Sequence, residues 1–279
     1  LALDGEMQAI AVNGARQRAP ELQAHGGTLS IDLARTTADN QAVRFGKKTG
    51  SGTPDEDGSL PTDPANPGQP LELVLDGSGL KRTGLQAIRI NTNGRISVDQ
   101  GHRVELAEAG ALTLKGGEIA VDGQIRSLAG TVNLETRVIG GSRASGAISL
   151  GERASIDTSG GWNNDRPAAS SGVNRYDGRP LRIDGGSVAV RAEGDVTVAA
   201  GSRIDVSGGA NRRTDGTIKA GNAGSIALEA AAVGGSDLAL AGNLMGYAVV
   251  GGRGGSLSLT SDQAVLGVDD TLFVDGGPV

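Results

Sequence analysis

GGSVAV at residues 185–190 places a short apolar-x-apolar strand directly after a glycine turn, and this phrase returns along the chain. It recurs as GSIAL at 224–228 and as GGSLSL at 254–259. A second phrase, SIDTSGG at 155–161, returns as RIDVSGG at 203–209. Recurrence of one strand-turn unit is typical of a solenoid, in which each coil contacts only its neighbours.

The composition favours a solenoid with a thin apolar core. The 279 residues include 47 glycines, and only 2% of them are aromatic. Glycine is thus well above its usual share of about 7%, and Val, Ile, Leu and Ala must fill the core. Disordered glycine-rich chains lack regularly spaced β-branched residues, whereas these residues occur here in alternating triplets.

Alignment of the phrases predicts coils of three short strands. Segments 146–161 and 194–209 align without a gap, and Ile156 then matches Ile204. Alternate side chains of a strand point to opposite sides, so an apolar-x-apolar triplet sends two side chains inward. Stacked coils lie about 4.8 Å apart with backbone hydrogen bonds between them. We therefore predict an all-β parallel β-helix.

The prediction describes one continuous solenoid that is interrupted by loops. Residues 1–83 are expected to form N-terminal coils with a polar, Pro- and Gly-rich insertion at 35–70. Residues 84–279 are expected to form regular coils with three further insertions, at 137–145, 161–182 and 210–223. The last two should emerge at the third-to-first corner, which lies between the third strand of one coil and the first strand of the next. We also expect the chain to be a fragment of a longer protein.

Loops on one face of a solenoid commonly carry its binding surface. The strongest candidates for ligand binding lie in the insertion at 161–182, which holds the only Trp of the chain. They are Trp162, Asn163, Asn164, Asp165 and Tyr176. An exposed aromatic ring beside amide and carboxylate groups is suited to stacking against a sugar. In the alternative, the Trp162 ring folds back and covers the side of its coil.

Acidic side chains offer a weaker case for catalysis. Asp157 and Asp205 should lie on adjacent coils, where paired carboxylates serve glycoside chemistry or hold calcium. Asp also recurs at strand ends just before Gly, where its carboxylate accepts hydrogen bonds from turn N–H groups. The turn role explains the pattern better. We therefore predict no catalytic residue, no metal site and no cofactor.

Charge and hydropathy restrict the partners. The net charge is -6, and no basic stripe is interleaved with aromatic residues, so nucleic acid is not expected to bind. No apolar run approaches the roughly 18 residues that span a bilayer, so no transmembrane segment is predicted. The chain has no cysteine, which excludes a disulfide framework and a thiolate metal site.

The phrases GGSVAVRA at 185–192 and GSRIDVSGG at 201–209 resemble the repeats of filamentous haemagglutinin-type exoproteins, which Gram-negative bacteria secrete by the two-partner route. The resemblance covers residues 84–275 best. It implies a right-handed parallel β-helix, export through an outer-membrane barrel transporter, and a final place at the outer face of the outer membrane. The family's N-terminal secretion motifs are not recognisable, which assigns this chain to the repeat-bearing body.

We therefore expect a non-enzymatic segment of a large secreted surface exoprotein, acting as a rigid stalk and as an adhesion or biofilm surface. Its expected partners are the outer-membrane transporter during export and a glycan or protein receptor on a host or bacterial surface. Two alternatives stay open. One is a pectin-lyase-like enzyme that degrades polysaccharides through Arg153, Asp157, Arg203 and Asp205. The other is the stalk of a contact-dependent toxin-delivery protein.

Overall fold

The structure is a computed structural model that describes residues 8–12, 19, 23–33, 41–46, 71–138, 144–165, 181–230, 236–261 and 263–266. Within these ranges, the chain winds into three parallel sheets of seven, eight and five strands, with a further sheet of three strands at one corner. Neighbouring strands in the three large sheets come from successive coils, except that the third strand of the chain lies outside the second at one edge of the eight-stranded sheet. This arrangement confirms the predicted parallel β-helix.

The first strands of the coils form the seven-stranded sheet. In spatial order its strands are β1 (Thr28–Asp32), β4 (Ala87–Asn91), β7 (Ala111–Gly116), β10 (Thr131–Thr136), β14 (Ser187–Ala192), β19 (Ser225–Ala230) and β22 (Ser256–Ser261). All its pairings are parallel and keep one register from coil to coil.

The second and third strands form the other two large sheets. The eight-stranded sheet runs β3 (Leu71–Leu75), β2 (Gln41–Phe45), β5 (Arg95–Val98), β8 (Glu118–Val121), β11 (Ile148–Leu150), β15 (Val196–Val198), β20 (Asp237–Leu240) and β23 (Gln263–Leu266). The five-stranded sheet runs β6 (Arg103–Glu105), β9 (Gln124–Arg126), β12 (Ser155–Asp157), β16 (Arg203–Asp205) and β21 (Asn243–Met245).

The register between coils confirms the ungapped alignment. Ile156 of β12 lies opposite Ile204 of β16, and Ile148 of β11 lies opposite Val196 of β15. All four side chains are at most 1% exposed. Because matching positions stack, each inward column is continuous, and the coils share one thin apolar core.

The structure differs from the predicted polar insertion at 35–70 in one place. Residues 41–45 form β2, in which Val43 pairs with Ile96 of β5 and Phe45 pairs with Val98. The side chains of Val43 and Phe45 are completely buried. Residues 43–45 are an apolar-x-apolar triplet that buries two side chains. The polar, Pro- and Gly-rich sequence around this triplet led to the prediction of a loop. Residues 34–40 and 47–70 lie outside the described ranges.

A 3-10 helix, Gly77–Thr83, packs against β6 at the N-terminal edge of the five-stranded sheet. Its Leu80 side chain is buried, and a Cβ on Gly77 would lie only 2.6 Å from the Arg103 carbonyl oxygen. A helix at this position covers backbone groups that an edge strand otherwise exposes for pairing with another chain. The helix therefore closes one edge of the β-helix.

Asp76 caps this helix, and we expect Asp76→Ala to lower the free energy of unfolding by about 1 kcal/mol. The Asp76 Oδ1 atom accepts hydrogen bonds from the Ser78 N–H at 2.9 Å and from the Ser78 hydroxyl at 2.6 Å. These bonds hold the pKa of Asp76 below its usual range. Stabilisation by the cap is therefore fully present at pH values above the usual carboxyl pKa, and it is lost as the pH falls through the lowered pKa of Asp76.

Urea denaturation of the wild type and of Asp76→Ala checks this at neutral pH and at about pH 2. The difference in unfolding free energy between the two proteins should shrink at the acidic pH. An equal difference at both pH values would show that the carboxylate charge does not contribute to the cap.

Candidate functional site

The SGG phrases at 159–161 and 207–209 position the two third-to-first corners that follow β12 and β16. A Cβ on Gly160 would overlap the Ile183 carbonyl oxygen, and a Cβ on Gly209 would overlap that of Gly161. Only glycine allows such close approach of one backbone to another. The returning segment 181–185 therefore crosses directly over the corner, where the Gly209 N–H donates to the Ile183 carbonyl at 2.7 Å.

Asp157 and Asp205 begin these corners, and their contacts confirm the predicted turn role. The Asp157 Oδ1 atom accepts from the Ser159 N–H at 3.0 Å and from its hydroxyl at 2.6 Å. The Asp205 Oδ1 atom accepts from the Ser207 N–H at 2.9 Å. Asp157 Oδ2 also lies 3.3 Å from the Nε atom of Arg126. Both carboxylates thus shape the chain before it leaves the coil.

The insertions at 161–182 and 210–223 begin side by side. β13 (Trp162–Asn164) opens the first, β17 (Ala210–Arg212) opens the second, and the two strands pair in parallel. β18 (Ile218–Ala220) then folds back antiparallel onto β17. Extending the ungapped alignment by one residue pairs Trp162 with Ala210, which is the pairing in the structure.

One face of this small sheet carries Trp162, and we call it the tryptophan face. Strand alternation and register place six residues on it: Trp162, Asn164, Ala210, Arg212, Ile218 and Ala220. Trp162 is 69% exposed and Ile218 is 65% exposed. This exposure excludes the alternative in which the Trp162 ring folds back over its coil.

Two alanines occupy the register positions next to Trp162. Ala210 is only 3% exposed and Ala220 is partly exposed, and the row two residues further on holds Asn164, Arg212 and Ile218. Asn164 and Arg212 are exposed. The result is an exposed aromatic ring that shares its face with an amide and a guanidinium. This arrangement is suited to binding a flat, hydroxylated molecule.

The five predicted residues do not act together. Alternation places Asn163 on the opposite face of β13 from Trp162, and Asp165 is 7% exposed. The Asp165 N–H donates to the Arg212 carbonyl oxygen at 2.7 Å, so this residue extends the pairing with β17. Only Asn164 shares the exposed face of Trp162. Tyr176 lies outside the described residues.

Asn163 pairs with Asn211 on the opposite face, where both amides are held close to the coil. Asn211 is 3% exposed. The Asn163 Nδ2 atom and the Asn211 Oδ1 atom are buried without a hydrogen-bond partner. The two atoms do not bond to each other, so one donor and one acceptor stay unsatisfied between the two insertions.

Two further features, a membrane-spanning helix and a cluster of metal-binding side chains, were sought in the described ranges. None of their helices has the length and apolarity that crossing a bilayer requires. No cluster of three or more His, Cys, Asp or Glu side chains there is arranged to hold a metal ion. Comparisons of the chain with protein-family models, with curated proteins and with solved structures gave no match.

Proposed function

We propose that this chain is a non-enzymatic segment of a secreted bacterial surface exoprotein, in which the β-helix is a rigid stalk and the tryptophan face is an adhesion surface for glycans. The observation that carries the proposal is an exposed tryptophan on an ordered sheet that is anchored to the coils. The resemblance of the repeats to filamentous haemagglutinin-type exoproteins supports the surface location.

The stalk role follows from the continuous core. Ile119, Ile148, Val196 and Leu238 occupy one column through four coils, and each is at most 1% exposed. The first strands from β4 to β19 are each hydrogen-bonded to the coils before and after them. Such a solenoid resists bending, because bending would separate the stacked backbones and expose the apolar core at the same time.

The adhesion role follows from the solvent exposure of Trp162. A tryptophan that packs in a core is buried, whereas this one leaves most of its ring in water. Sugar rings stack on aromatic faces, and their hydroxyls accept hydrogen bonds from amides and guanidinium groups. Asn164 and Arg212 offer such groups on the same face. Asp157 and Asp205 are engaged in turns, which favours this role over polysaccharide cleavage.

Export by the two-partner route fits a chain whose coils fold one after another. Each coil needs only its predecessor as a template, so folding can follow the chain as it emerges from an outer-membrane transporter. The proposed final location is the outer face of the Gram-negative outer membrane, where a stalk contributes to adhesion or to a biofilm. The stalk of a toxin-delivery protein would use the same coils.

We expect Trp162→Ala to weaken glycan binding at least about fivefold, because a stacked ring contributes about 1 kcal/mol beyond its buried area. A glycan array followed by titration calorimetry on the best-binding glycan measures this. Stability should change by less than about 0.5 kcal/mol, because the side chain is exposed. Tyr247→Ala is the matched control, since Tyr247 is equally exposed at 69% but lies outside the tryptophan face. Equal binding by the wild type and both variants would contradict the proposal.

A further inference from the structure

A cavity of about 350 Å³ lies at the third-to-first corner, on the N-terminal side of the tryptophan face. Ala107 and Glu108, which lie at the corner after β6, form one wall of the cavity. Gln86 and the segment 23–26 contribute to its other walls. Arg182, at the end of the insertion that begins beside Trp162, also lines the cavity. We call it the Arg182 cavity.

The polar walls of the Arg182 cavity are held in place. The Gln86 Oε1 atom accepts from the Gly26 N–H at 2.9 Å, and its Nε2 atom donates to the Ala109 carbonyl at 3.4 Å. The Arg182 Nη2 atom donates to the Gln23 Oε1 atom at 2.9 Å, and Gln23 is 5% exposed. A site that is ordered in advance loses less entropy when a ligand arrives.

Arg182 is a partly buried cation that forms no ion pair with any described residue. Burial lowers the pKa of its guanidinium, and the negative charge of Glu108 opposes this effect. A guanidinium presents five donors in a fork that matches a carboxylate, and one buried amide oxygen does not use them all. Glu108 lines the same cavity but forms no ion pair with Arg182. The spare donors of this partly buried guanidinium are therefore suited to an anionic ligand.

We propose that the third-to-first corner binds a uronate-containing polysaccharide, with a carboxylate on Arg182 in its cavity and a sugar ring on Trp162. This inference rests on the proposed function, because it assigns the class of glycan that the same corner binds. Arg182 becomes a binding residue that the sequence pattern did not indicate.

The two halves of the site are adjacent. The Gly161 N–H donates to the Arg182 carbonyl oxygen at 2.7 Å, so the chain at Arg182 lies one strand away from the residue before Trp162. Arg212 lies on the next strand on the other side, opposite Asn164. Neighbouring strands are about 4.8 Å apart, so the backbones at Arg182 and Arg212 lie on the two sides of the β13 backbone, and the Arg182 side chain extends from there to Gln23 in the cavity.

Carboxylates without sugar rings would not use the whole site. An acidic peptide can pair with Arg182, but it offers no sugar ring to stack on Trp162. A neutral polysaccharide can stack on Trp162, but it leaves the Arg182 charge unpaired. A uronate polymer satisfies both features, since each of its residues carries a ring and a carboxylate.

The test measures dissociation constants for polygalacturonate, amylose and polyglutamate by biolayer interferometry. Polygalacturonate should bind most tightly, and added salt should weaken its binding. Arg182→Gln should weaken polygalacturonate binding about ten- to hundredfold, because it removes a hydrogen-bonded charge pair. The affinity of Arg182→Lys should lie between those of the wild type and Arg182→Gln, because lysine keeps the positive charge but loses the forked donors of the guanidinium. Arg191→Gln, which changes an exposed arginine of β14, should bind like the wild type.

Circular dichroism melting separates loss of binding from loss of fold. If Arg182→Gln has a lower melting temperature than the wild type, the affinity of Arg182→Lys and the salt dependence of wild-type binding test the proposal instead. Equal binding of amylose and polygalacturonate would overturn the uronate assignment and leave glycan adhesion intact. Tighter binding of polyglutamate would overturn the saccharide assignment, and binding of no polymer would overturn both this inference and the proposed function.

Discussion

Gly224→Ala should destabilise the β-helix by more than about 3 kcal/mol, which is a large share of the stability of an ordinary domain. A Cβ on Gly224 would overlap the carbonyl oxygen of Gly186, one coil earlier. That carbonyl accepts a hydrogen bond from the Ser225 N–H, so neither group can move without breaking the stacking of the two coils. Gly186 stands in the same relation to the Gly130 carbonyl.

Gly79→Ala is the matched control for this substitution. The nearest atom to a Cβ on Gly79 is Nη2 of Arg82, at 3.9 Å, so the added methyl group meets no backbone. Guanidinium denaturation followed by circular dichroism should give a much lower midpoint for Gly224→Ala and a nearly unchanged one for Gly79→Ala. Similar midpoints for the two variants would contradict the close stacking at the corner.

Ile204→Ala should lower the free energy of unfolding by about 2–5 kcal/mol, because it removes a fully buried side chain and leaves a cavity. Ile204 lies between Ile156 and Leu244 on adjacent coils, so both neighbours lose contacts. Few groups can move to fill the space, because the backbones on either side are fixed by inter-coil hydrogen bonds.

Ile218→Ala provides the comparison, since the same side chain is 65% exposed on the tryptophan face. Its free energy of unfolding should change by less than about 0.5 kcal/mol. Equilibrium urea unfolding of both variants measures the difference. An equal loss would mean that the small sheet is part of the core, and the division between stalk and adhesion surface would fail.

The regular coils can be predicted from sequence because their information is local. An apolar-x-apolar triplet after a glycine turn already states which side chains point inward, and matching phrases state which coils stack. The match between SIDTSGG and RIDVSGG is enough to pair Ile156 with Ile204. The strand β2 escapes the pattern because a single triplet, Val43 to Phe45, stands alone among Pro, Gly and polar residues and has no neighbouring copy in the sequence.

The repeated glycine-strand phrases by themselves determined the parallel β-helix, its register and the corner from which the late insertions leave. Only the tertiary structure decided which residues complete the tryptophan face, because the β17–β18 hairpin brings Ile218 beside Arg212. It also decided the Arg182 cavity, where Arg182 bonds to Gln23 across 159 residues of sequence. Periodicity specifies neighbours within and between coils, whereas contacts between insertions depend on where the folded corner places them.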